Sequence, residues 1–177
     1  MPDHDDTDGN PPRSEVILEG YNPAWPALAT EWIARITEAC GDAILEVHHI
    51  GSTAVPGMLA KPIIDLMPGL RSFEAGAAIV EPMAALGFEA RGEFGIPRRH
   101  YFHREDVHVY AYAVGEGQWH DQLTFRDHLR GHPAAREEYA ALKRDLQQRY
   151  RFDRVEFSNH KSQFVERILR EARSPLD

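Results

Sequence analysis

Val47 to Leu70, VHHIGSTAVPGMLAKPIIDLMPGL, sets two apolar segments on either side of a Gly-Ser-Thr turn and places one lone carboxylate in the second. The first segment, AILEVHHIG, has the length and composition of a strand ending at Gly51. The second, PIIDLM, reads as a strand closed by Pro68-Gly69. Side chains alternate along a strand, so Ile63, Asp65 and Met67 point one way while Ile64 and Leu66 point the other. His48 and His49 are strand neighbours, face opposite ways and cannot chelate one ion. His49, two residues before Gly51, is the better candidate of the two. A Gly-Ser-Thr turn beside Asp65 points to a phosphate-handling site or to the remnant of one.

Outward from this stretch, helical and extended patterns alternate. PALATEWIARITEACG puts Leu28, Trp32, Ile36 and Ala39 on one helical face, with Pro26 in the first turn and Gly41 as the C-cap. Ser72 is placed to cap a helix through FEAGAAIVEPMAALG, kinked or broken at Pro82. RRHYFHREDVHVYAYAV alternates as a hairpin about Glu105-Asp106. Three helical segments follow, WHDQLTFRDHLRGH, PAAREEYAALKRDLQQRY and VEFSNHKSQFVERILREA. Helices around a few strands imply an α+β fold, a small mixed β-sheet packed with helices and a helical C-terminal part.

The chain has 177 residues, 42% of them hydrophobic, which suits a single domain over residues 15–177. Residues 1–14, rich in Asp, Gly, Asn and Pro, read as a flexible acidic tail. The formal charge of −8 argues against broad nucleic-acid binding, which needs basic surface, and makes an RNA partner unlikely despite the locally basic RDHLRGHPAAR. A single cysteine, Cys40, excludes an internal disulfide and a multi-cysteine zinc cage. Neither a membrane-length apolar run nor a secretion-signal pattern is present, so the expectation is a cytoplasmic protein with no membrane partner.

The hairpin strands put His108, Tyr110 and Tyr112 on one face, and Arg98, His100 and Phe102 on one face of the preceding strand. If these faces join that of Asp65, then Asp65, His49, His100 and His108 are candidate metal ligands, with Arg98 a candidate phosphate contact. The plain alternative is that the histidines are satisfied, half-buried strand residues. Gly51, Ser52 and Thr53 offer amides and hydroxyls to an anion, and Lys61 is a second candidate phosphate contact. Arg126, four residues before Arg130 in the next helix, either meets a substrate phosphate or forms a structural salt bridge between this helix and the hairpin, and the salt bridge is the better reading. Ser52 as a nucleophile is set aside, because no histidine is locally tied to it. Tyr139, Leu142, Leu146, Phe164, Ile168 and Leu169 have the spacing of ordinary helical core.

Together YNPAWP, HIGSTAVPGMLAKPIID, HVY and FRDHLRGHP with EEYAALK resemble the GrpB family over about Val16 to Ala172. The resemblance implies a nucleotidyltransferase-like fold, whose site combines a Gly-Ser loop, a strand with two carboxylates at alternate positions and a third carboxylate on a later strand. Gly51 and Ser52 match the loop and Asp65 the first carboxylate, but Met67 occupies the second position, and the hairpin offers His108 and Tyr110 rather than an acid. Methionine is a poor ligand for a hard cation, which puts two-Mg²⁺ chemistry in doubt. A mixed carboxylate and imidazole set would favour Mn²⁺ or Zn²⁺ over Mg²⁺. Related domains also occur behind dephospho-coenzyme A kinase in some bacteria, implying a nucleotide or coenzyme A context. The expectation is a protein that binds a nucleotide or another phosphorylated small molecule, with metal-assisted nucleotidyl or phosphoryl transfer centred on Asp65. The competing expectation is a catalytically inactive binding or interaction module that keeps the fold.

Overall fold

A computed structural model describes residues 15–174; the tail expected over residues 1–14 lies outside them. The first helix, α1 (Trp25–Cys40), starts where Asn22 Oδ1 accepts from the Ala24 amide and Pro26 presets the first turn, and it stops at Gly41, whose φ is 51°. Its buried face is Trp25, Ala29, Trp32, Ile36 and Cys40. Leu28, expected inside, is exposed, because the large anchors Trp25, Trp32 and Ile36 set the stripe slightly around the helix.

Five strands form one mixed sheet in the order β1-β2-β5-β4-β3: β1 (Glu46–Ile50), β2 (Ile64–Leu70), β3 (Glu89–Ala90), β4 (His100–His103) and β5 (Val107–Ala113). The central pair, β2 and β5, is parallel and every other pair antiparallel. The hairpin turns at Glu105-Asp106 as its alternation implies. The strand β2 does not stop at Pro68-Gly69 but runs on to Leu70, since the ladder to β1 continues through both residues. Proline has no N–H to give, and the parallel register to β5 is interrupted at Met67 and Pro68.

One sheet face, with Ile64, Leu66, Leu70, Val109, Ala111 and Phe102, packs on α1 and on the segment before β3. Burying each of the larger of these side chains contributes about 1.5–3 kcal/mol, so this face anchors the sheet. That segment is a 3-10 stretch, Glu74–Ile79, followed by α2 (Val80–Ala85), with Pro82 inside the first turn of α2 rather than at the break. The other sheet face, with Ile50, Met67 and Tyr112, meets Trp119 at the start of α3 (Trp119–Gly131). Next come α4 (Pro133–Arg149), α5 (Arg154–Asn159) and α6 (Ser162–Arg173). The last two were expected as one helix. They separate at His160-Lys161, where the His160 ring stacks on Tyr150 with centroids 4.6 Å apart.

Candidate functional site

Between the second sheet face and helices α3 to α6 lies a cleft of about 630 Å³, whose floor is built by β2 and the turn after β1. Gly51 makes the turn with φ 70°, a region that L side chains rarely adopt. A Cβ on Gly51 would stand 2.4 Å from Asp65 Oδ2, so glycine is what lets the turn lie against the carboxylate. Two arginines of α3 grip the same turn: Arg126 donates to the His49 carbonyl at 3.1 Å and Arg130 to the Ala54 carbonyl at 2.9 Å.

Asp65 rises from the floor of this cleft with its side chain 26% exposed. The Tyr110 hydroxyl donates to Asp65 Oδ1 at 3.4 Å, and His108 Nδ1 lies 3.8 Å from the same oxygen. Three lysines line the same cleft, Lys61 from the loop before β2, Lys143 from α4 and Lys161 from the break between α5 and α6, and of these Lys61 and Lys161 act on the Asp65 carboxylate. Lys143 is 3% exposed; its Nζ donates to the Leu59 carbonyl and to Ser52 Oγ, the latter at 3.0 Å, and stands 4.6 Å from the Tyr139 ring centroid. Lys161 and Lys61 both approach the Phe157 ring, at 4.7 and 6.0 Å from its centroid. Among the described residues, the ion pairs are made by arginines and histidines and none by these three lysines.

Burial opposes charge on every one of these groups. It pushes Asp65 up to about 6, with Lys61, Lys161 and the Tyr110 hydrogen bond pulling the other way. It pulls Lys143 down to about 7, helped by the charges of Lys161, Lys61 and Arg144, and Lys161 down to about 8, helped by Lys61 and opposed by Asp65. Lys61 is lowered by burial as well. Burial, then the neighbouring His103 and Lys61, hold His108 neutral at about 3. The cleft thus sets Asp65 beside amines whose charge burial opposes, and Asp121, paired with Arg173, and Glu166 also line it.

The structure brings Gly51, Ser52, Thr53, Lys61, Asp65 and His108 together around the cleft and leaves His49, His100, Arg98 and Arg126 outside it. Register decides two of them. Asp65 pairs with Ile50 and His108, so His49, opposite Leu66, and His100, opposite Ala111, project from the other sheet face and cannot join Asp65 around one ion. His49 Nε2 meets Thr53 Oγ1 at 2.9 Å, and His100 Nε2 meets the Phe73 carbonyl at 2.7 Å. Thr53, 2% exposed, spends its hydroxyl on that bond. Arg98 precedes β4, is exposed and pairs with Glu116. Arg126 pairs with Asp127 of its own helix rather than with the hairpin, and it also holds the turn after β1 through the His49 carbonyl.

These donors do not fit an ion held by protein side chains alone. Among the described residues no group of three or more histidine, cysteine or carboxylate side chains stands together in a metal-holding arrangement, and wholly buried Met67 fills the position of a second carboxylate. Zinc, which takes three or four protein ligands, is the poorest match.

Lys143 and Lys161 escaped the sequence reading. Lys143 carried a usable signal: it lies four residues after Tyr139 and three before Leu146, inside an apolar helical stripe where a lysine is out of place. Lys161 had none, because the helix break that turns it inward was not legible.

The family described as GrpB protein matches residues 15–171. A protein named UPF0157 protein YqkA, from Bacillus subtilis, is 40% identical over 76% of this chain, which spans about 40% of that protein's length. UPF0157 protein SCO7215 from Streptomyces coelicolor is 34% identical over 89% of this chain and 84% of its own. A protein named dephospho-CoA kinase, from Mycolicibacterium paratuberculosis, is 30% identical over 77% of this chain and 41% of its own. Among solved structures, conserved protein GrpB from Enterococcus faecalis superposes with a TM-score of 0.81 at 32% identity, covering 88% of this chain and 96% of its own. With that agreement in sequence and in fold, the chain belongs to the GrpB family.

Proposed function

We propose that the cleft binds a nucleotide or another phosphorylated small molecule, with the lysines supplying the positive charge that metal ions supply in nucleotidyltransferase-like sites. The observation that carries this reading is the convergence of Lys61, Lys143 and Lys161, none paired to a carboxylate among the described residues, on a floor made by Gly51, Ser52 and Asp65. An uncompensated buried ammonium costs free energy, and a phosphate with several acceptor oxygens offsets that cost for two or three lysines at once. Lys61 and Lys161 meet phosphate oxygens in this reading, and the aromatic wall of Phe125, Tyr139 and Phe157 takes the apolar part of the ligand. Magnesium or manganese that arrives coordinated by phosphate needs only one or two carboxylates, and Asp65 is the one this face provides. The dephospho-CoA kinase likeness supports a nucleotide or coenzyme A context. Buried Met67 in the second carboxylate position favours a second reading, a module that binds the same ligands without chemistry.

Calorimetric titration with tripolyphosphate, ATP and CTP, with and without Mg²⁺, tests the reading. Wild-type protein binds at least one of them. Lys61→Ala and Lys161→Ala each weaken binding about tenfold or more, the size of a lost charge-assisted contact. His100→Gln and Arg98→Ala leave it unchanged. Failure of all three ligands to bind wild type, or equal binding by Lys161→Ala, overturns the assignment.

A further inference from the structure

Ser52 and Lys143 lie 91 residues apart in sequence and within 3.0 Å in space, at the wall of the cleft. A serine hydroxyl is a weak nucleophile until a base stands ready to take its proton. Histidine does not fill that place here, since His49 lies across the sheet on Thr53 and His108 is turned to Asp65 and Tyr110. Lys143 does fill it. Its contact with the Leu59 carbonyl fixes the amine from one side, as the orienting third group does in nucleophilic sites, and leaves the other side directed at Ser52 Oγ.

We propose that Ser52 is a nucleophile toward the phosphorus of a phosphoanhydride or activated phosphate ester, and that Lys143 is its base. The substrate class rests on the phosphate reading above. Ser52 Oγ forms the new O–P bond, the bond from phosphorus to the leaving oxygen breaks, and that oxygen departs with the electron pair. The Ser52 proton passes to Lys143 Nζ and on to the leaving oxygen. Water then attacks phosphorus, Ser52 Oγ leaves, and Lys143 carries a proton from the water back to it, so both side chains return to their starting state. Lys61 and Lys161 lie against the non-bridging oxygens, where negative charge builds.

A base must be neutral at rest, and the surroundings of Lys143 provide for this. Acting on it are Arg144 of its own helix, Lys61 before β2 and Lys161 before α6, with the Tyr139 ring against it, and the acids lining the cleft are Asp65, Asp121, which is paired with Arg173, and Glu166. Burial and the three cations hold the amine at about 7. The structure thus provides a near-neutral lysine touching a serine in a cleft.

A fluorophosphonate probe reads this nucleophile without knowledge of the ligand: Ser52 Oγ bonds to phosphorus, fluoride leaves and the proton goes to Lys143. Intact-mass kinetics and peptide mapping across pH 5 to 9 are the measurements. The expected result is one adduct per chain on Ser52, with a rate that rises with pH to a plateau and a midpoint near 7. Ser52→Ala abolishes labelling. Lys143→Arg keeps a cation that cannot deprotonate, and it slows labelling about 100-fold or more. The wild-type pH profile stands even where a variant folds poorly. Absence of a Ser52 adduct on wild type, a rate independent of pH, or full-rate labelling of folded Lys143→Arg overturns the proposal. Tripolyphosphate that binds by calorimetry slows the labelling. An adduct with the expected pH profile in a protein that binds no tripolyphosphate or nucleotide instead supports the dyad and overturns the phosphate reading.

Discussion

Replacing Lys143 with methionine removes a buried amine while keeping an unbranched chain of similar reach, and its effect on stability is expected to change with pH in a defined way. An unfolded lysine titrates at 10.5 and the folded Lys143 at about 7. Between those values the unfolded chain holds more protons than the folded one, so the penalty is full below pH 7 and disappears as pH rises toward 10.5. At about 1.4 kcal/mol per pH unit of difference, the penalty is about 4 kcal/mol at pH 7 and falls by about 2 kcal/mol by pH 9. Methionine loses the bonds to the Leu59 carbonyl and Ser52 Oγ, worth about 1–3 kcal/mol. Lys143→Met is therefore expected to be more stable than wild type by about 1–3 kcal/mol at pH 7, with the advantage shrinking by about 2 kcal/mol at pH 9. Urea unfolding of both proteins at pH 6, 7, 8 and 9 measures the difference. Lys61 and Lys161 titrate in both, so their direct contributions cancel. A stability gap that stays constant from pH 7 to 9 would refute a depressed Lys143.

Asp65→Asn tests the opposite sign. The folded carboxyl, raised from 3.8 to about 6, binds more protons than the unfolded one between these values, so wild-type stability falls as pH rises through that window. The variant is expected to gain up to about 3 kcal/mol over wild type between pH 4 and 7, seen as a rising difference in thermal midpoint. In Gly51→Ala the new Cβ meets Asp65 Oδ2 at a backbone angle that strains alanine, so a loss of about 1–3 kcal/mol and weakened tripolyphosphate binding are expected together. Unchanged affinity would show that the turn and the carboxylate do not act as a unit. Gly76→Ala drives a methyl to within 2.2 Å of His100 Nε2 on the far sheet face, with a similar loss of stability but retained tripolyphosphate affinity. Lost affinity would contradict the division of the sheet into two independent faces.

How far the sequence could be read follows from the range of the interactions involved. Alternation in PIIDLM placed Asp65 and Met67 on one face, and the Glu105-Asp106 hairpin put His108 and Tyr110 on a face of their own, because period and turn chemistry are local; that the two faces join is set by the long-range parallel pairing of β2 with β5. His100 was misjudged because its face depends on where β4 enters the pairing, and Arg98, placed on that strand, lies before it in a left-handed conformation. Leu28 was misplaced because the core stripe, anchored by Trp25, Trp32 and Ile36, runs through Ala29 and Cys40, one residue on from the expected Leu28 and Ala39. Lys61 was legible beside the Asp65 strand, but Lys143 and Lys161 were missed because the gathering of lysines in one cleft is a tertiary fact. Lys61, Lys143 and Lys161 come from three separate segments, and only the fold sums their charges.

Lys143 and Lys161 are not equivalent, and their different surroundings assign them different work. Phosphate binding needs protonated amines, whereas activating Ser52 needs a neutral one, and these demands conflict if a single lysine must meet both. Lys161, at about 8, stays charged at a pH where Lys143, at about 7, is already substantially neutral. The difference follows from geometry: Asp65 raises Lys161, while Lys143 has the cations Lys161, Lys61 and Arg144 among the causes that lower it. Affinity for a polyanion should then fall as pH climbs past 8, while Ser52 reactivity rises through 7, leaving a window between them in which both hold. Moving Asp65 to asparagine removes the charge that favours protonated Lys161, so the affinity limb should shift to lower pH while the Ser52 limb stays near 7. If both limbs move together, the lysines titrate as one coupled group and the division of labour among them is wrong.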